Sequence, residues 1–101
     1  MRIIQMLADE IKDELHGAKT YAKAATQYKM EMPTLAQTFY TMAQDELKHA
    51  NMLHTEAVKA IEAQRKIAEP PAYMKERWDE EHKKYVEKAA KVKYMLEMYS
   101  K

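Results

Sequence analysis

Three residues stand where an apolar side chain is expected, and all three can ligate a metal. Steps of three and four along one stretch give Leu7, Ile11, Glu14, Ala18, Tyr21, Ala25 and Tyr28. Along a second stretch they give Leu35, Phe39, Met42, Glu46, His49, Leu53, Ala57 and Ala60. Everything on these stripes is apolar or aromatic except Glu14, Glu46 and His49. Such a stripe is the inward face of an amphipathic helix. A carboxylate placed there is costly unless it is paired, hydrogen-bonded or bound to a cation. Carboxylates are hard oxygen ligands, and imidazole is a borderline nitrogen ligand suited to iron or zinc. The chemistry on offer is therefore cation binding.

The elements that must hold these groups are helices. Ala, Lys, Glu, Met, Leu and Gln dominate the 101 residues, and β-branched residues are sparse. Pro33 and the pair Pro70-Pro71 are the only prolines; each disfavours helix just before it and suits the first turn of a new one. The chain is expected to be all-α, one domain over residues 1–101, with helices near 2–31, 33–68 and 71–99. Its short turns make neighbouring helices antiparallel. With a turn near residues 30–32, Glu14 on the first helix and Glu46 and His49 on the second lie at one height. That height is roughly 24 Å from the turn at about 1.5 Å per residue. Gly17, Ala18, Ala22 and Ala25 read as small residues that let the two helices approach closely.

Composition removes other chemistries. There is no cysteine, hence no disulfide, thiolate nucleophile or Cys-bound metal. One glycine is too few for a phosphate-cradling loop. Seventeen basic against sixteen acidic residues give a net charge of +1 and no footprint for nucleic acid. No apolar run is long enough for a membrane span, and Asp9 and Glu10 come too early for a secretory signal. The expected location is the cytoplasm, with neither membrane nor nucleic acid as partner. The nine methionines are read as adaptable core filler.

Particular residues carry a family resemblance. Asp13-Glu14-Leu15, Gly17-Ala18 and Tyr21-Ala22 look like the first helix of rubrerythrin and other ferritin-like proteins. Leu35-Ala36, Phe39, Met42-Ala43 and the run Asp45-Glu46-Leu47-Lys48-His49-Ala50 are similar to the second helix, with its Ala-x-x-Glu-x-x-His-Ala core. The resemblance covers about residues 7–55. It implies Glu14 as a terminal or bridging ligand, Glu46 as a bridging ligand, His49 as a terminal ligand and Tyr21 as a hydrogen-bonding partner behind them. Full-length members carry a second Glu-x-x-His, whereas this chain has none at suitable spacing and no Cys-rich iron domain. One Glu and one Glu-x-x-His are half of a di-iron carboxylate ligand set. A homodimer or larger oligomer would complete both a four-helix bundle and a centre of two irons, with manganese or zinc as other candidates.

Function then follows in two versions. In the first, the di-iron protein oxidises Fe(II) with O2 or hydrogen peroxide, as a ferroxidase or a rubrerythrin-like peroxidase, with an unknown electron donor. In the second, the chain is a metal-free or structurally metal-bound helical interaction module, and Glu14 and Glu46 are salt-bridged interface residues. Glu10 is the reserve ligand, while His16 and His54 read as solvated or edge residues. Asp79-x-x-His82 on the third helix falls beside Val58, too far from Glu46 to serve it within one chain. His82 therefore reads as a capping or partly exposed histidine. Tyr94 and Lys91 are expected opposite Glu46 and His49, Tyr94 as a supporting hydrogen-bonding group.

Overall fold

The computed structural model of this chain describes residues 2–101. Three helices follow one another, α1 (Arg2–Tyr28), α2 (Pro33–Ile67) and α3 (Ala72–Ser100), with no strand among the described residues. The first helix stops three residues earlier than expected. Pro33 forces Met32 out of helical geometry, to φ −137° and ψ 69°. Reversing the chain consumes Lys29 to Met32, with Met32 N–H donating to the Tyr28 carbonyl and Ala36 N–H to that of Met32. At the second junction Ala68 (φ −159°, ψ 141°) and Pro71 (φ −60°, ψ 153°) are extended. A Lys75–Glu69 ion pair ties α3 to the segment before it.

α1 and α2 pack closely along their length, and alanine makes this possible. Ala18, Ala22, Ala25, Ala36, Ala43 and Ala50 are all fully buried. Leu7, Ile11, Leu15 and Leu47 fill the remaining width. Methionine is not the core filler: Met6, Met30, Met32, Met52 and Met98 are exposed. Helices in near-contact through alanine leave no irregular gaps for long flexible side chains.

α3 runs back along α1 and touches α2 far less. Its four buried residues, Ala89, Val92, Leu96 and Tyr99, all lie in the C-terminal half. The Tyr99 ring stacks on Tyr40, centroids 4.8 Å apart, and Lys29 Nζ donates to the Tyr99 carbonyl. The N-terminal half diverges instead. A groove of about 780 Å³ opens there between α3 and the hairpin, lined by Ile4, Ile11, Val58, Ile61, Met74 and Trp78 among others. No described helix is long and apolar enough to cross a membrane.

Candidate metal centre

The close α1–α2 pairing sets the site. Glu14, one residue before buried Leu15, and Glu46, one before buried Leu47, are both half-buried at the edge of the seam, with His49 one turn on and exposed. Each residue offers one ligand atom, and these atoms lie within 4.8 Å of one another. A first-row cation with ligand bonds of about 2.0–2.2 Å spaces its donors about 3–4 Å apart, so small rotamer changes bring the three onto one ion.

The electrostatics fit a cation. Glu14 Oε2 is buried without a hydrogen-bond partner, although His49 Nδ1 lies 3.5 Å away. An orphaned carboxylate oxygen is a costly feature that a bound cation would satisfy. Glu46 titrates above the ordinary carboxylate range. The main cause is its hydrogen bond with the Glu14 side chain, followed by its burial and by the Glu14 charge; the His49 charge opposes them. Gly17 completes the cradle. A Cβ there would meet the Glu46 carboxylate at 3.5 Å, so the bare helix surface gives that carboxylate room to move.

The other sequence candidates fall elsewhere. Glu10 is exposed and outside the group. Tyr21 lies on the same face two turns from Glu14, but its ring stacks on Phe39 with centroids 6.1 Å apart. Among the described residues its hydroxyl makes no hydrogen bond to Glu14, Glu46 or His49. Tyr94 is not opposite Glu46; it is 62% exposed. The reason lies in where α3 crosses. It runs beside Lys12, His16 and Lys19 of α1 and beside Gln44, Lys48 and Asn51 of α2. Those positions are more than a quarter turn of helix away from Glu14 and Glu46. Lys91 faces Lys19, and the crowding of the two ammonium groups lowers the Lys19 pKa. The Glu14–Glu46–His49 face thus looks away from α3. His54 is half-buried at the edge of the groove that Val58 and His82 also line, and His82 Nδ1 lies 3.1 Å from its Nε2.

Fold and site together define a class: a helical hairpin that brings two carboxylates and an imidazole together at mid-length, a group able to hold a cation. The family can be stated too. The rubrerythrin family profile matches residues 5–100, and the chain belongs to that family. The match extends well past the second helix and takes in α3, whose motifs alone carried no resemblance. No curated protein and no solved structure gives a significant match.

Proposed function

We propose that this chain is a di-iron ferritin-like protein whose centre is shared between two copies and oxidises Fe(II) with O2 or hydrogen peroxide. The observation that carries the reading is the convergence of Glu14, Glu46 and His49, with Glu14 Oε2 buried and unpartnered. Bound iron supplies the redox chemistry, two Fe(II) ions giving up the two electrons that hydrogen peroxide takes on becoming water. The chain's residues set the conditions for it. Two carboxylates per copy, four in a dimer, balance the charge of two divalent cations. Three donors from one chain leave a six-coordinate cation half satisfied, which favours completion by a second copy. The hydrogen bond between Glu46 and the Glu14 side chain, burial and the Glu14 charge raise the Glu46 pKa, so protons compete more strongly with a cation there and cation uptake strengthens as pH rises. His49, exposed at the rim, offers its nitrogen without reorganising the buried seam.

Anaerobic Fe(II) titration, followed by admission of O2 or hydrogen peroxide, tests this. The expected result is saturation near one iron per chain and rapid formation of Fe(III). Glu46→Ala and His49→Ala should each abolish saturable binding. Unchanged binding in Glu46→Ala would sink the proposal.

The alternative is a metal-free or structurally metal-bound interaction module. The groove beside the N-terminal half of α3 is the observation on its side. In its metal-free form it requires that Glu14→Gln and Glu46→Gln be silent and that chelators leave the melting temperature unchanged, whereas a structural metal would make chelators lower it without any Fe(II) oxidation.

A further inference from the structure

A second cluster of metal-ligating side chains sits where α3 meets the far end of α2, on a different face from Glu46 and His49. His54 Nε2 and His82 Nδ1 are 3.1 Å apart. The His54 ring lies flat on Tyr85, centroids 4.0 Å apart and 5° between planes. Tyr85 is fixed in turn, its hydroxyl donating to Asn51 Oδ1 at 2.6 Å. Asn51, Tyr85 and the stacked imidazole therefore form a chain of supports that orients one histidine toward the other. α2 and α3 make few other contacts, so this cluster is their main polar link.

We infer that His54 and His82 form a second, independent cation site, an imidazole pair for a zinc-class transition ion that fastens α3 to α2. The geometry suits it. Two nitrogens bound to one tetrahedral ion at about 2.0–2.1 Å lie about 3.3 Å apart, close to the observed separation. Neutral imidazole pairs favour zinc, copper and nickel over hard cations. Both rings border the open groove of about 780 Å³, which leaves space for water to complete the coordination. Burial, and then the neighbouring His82, lower the His54 pKa, which favours the neutral ring, whose Nδ1–H tautomer leaves Nε2 free to ligate. The pair also spans two helices distant in sequence. A bound ion would therefore add a cross-link between α2 and α3, which otherwise touch little.

Zn(II) titration of the full chain by calorimetry tests the site, with Glu46→Gln/His49→Ala as background to silence the carboxylate centre. One zinc per chain is expected to remain in that background. Adding His54→Gln or His82→Gln should remove it while far-UV circular dichroism still shows the helices intact. Zinc stoichiometry that survives both histidine substitutions overturns the inference. Should the background variant fail to fold, ¹⁵N-histidine spectra of the wild-type chain decide. Zn(II) should shift His54 Nε2 and His82 Nδ1, and movement of His49 alone would overturn the site while leaving the carboxylate centre standing.

Discussion

Glu14 and Glu46 face each other across the α1–α2 seam with no positive charge between them except a protonated His49, so the metal-free protein stores repulsion at its own site. The sign of the pH effect follows. An acid whose pKa is raised on folding lets the folded state keep a proton that the unfolded chain has released. The Glu46 contribution to stability is therefore fully present below the ordinary value of 4.5 and is lost as pH rises from there through the raised value. Glu46→Gln removes the cost while keeping the shape. It should raise the metal-free melting temperature at neutral pH by about 2–4 °C, if the like-charge penalty is about 0.5 kcal/mol as for exposed helical pairs. The gain should shrink as the pH falls toward 4.5, and the same variant should lose iron. A wild-type and variant pair melting together at neutral pH would contradict the stored repulsion. At this scale the three ligand candidates were legible because each interrupts an apolar stripe. The His54–His82 pair was not, since neither histidine interrupts a stripe and their meeting depends on how two helices distant in sequence cross.

Between elements, the uneven burial of α3 decides its behaviour. Ala89, Val92, Leu96 and Tyr99 anchor its C-terminal half to the hairpin, while the N-terminal half has no buried residue and borders an open groove. Local opening costs least where apolar burial is least. Amide hydrogen exchange in the metal-free protein should therefore be at least ~10-fold faster over residues 73–84 than over residues 89–98. Equal protection across α3 would show that the groove is closed in solution. Three helices and the starts of the second and third could be read from Pro33, Pro70 and Pro71, because proline acts on its immediate neighbours; the end of α1, three residues before the expected one, could not. The placement of Tyr94 could not. An antiparallel turn fixes which residues share a height, but leaves open the side of the hairpin on which the third helix settles. α3 took the side of Leu15 and Leu47, so Tyr94 faces solvent and Glu46 faces the other way.

At the scale of the whole molecule, a lone chain is poorly enclosed. It measures 55 × 17 × 17 Å and exposes 6992 Å², where a compact monomer of this mass would expose roughly 5,900 Å². The surplus is about 1,000 Å², comparable to the roughly 800 Å² each partner buries in a standard interface. The α1–α2 face that looks away from α3 holds the candidate ligands Glu14, Glu46 and His49, and beside them Tyr21, Tyr28, Phe39, Met42 and Leu53 are half-buried and none fully enclosed. If two copies join through that face, assembly and iron binding are one linked equilibrium, and each must strengthen the other. Fe(II) affinity should then fall on dilution through the range where sedimentation shows dimers dissociating. Added iron should shift that range to lower protein concentration. Met42→Lys probes assembly by placing a charge on this face while leaving every candidate ligand in place, and Met42→Gln, uncharged one turn from Glu46, controls for the direct effect of the ammonium on that carboxylate. Met42→Lys should sediment as a monomer, keep its helical circular dichroism and bind Fe(II) at least ~10-fold more weakly. A Met42→Lys monomer that bound iron as tightly as wild type would mean that one chain suffices, and the shared centre would have to be abandoned.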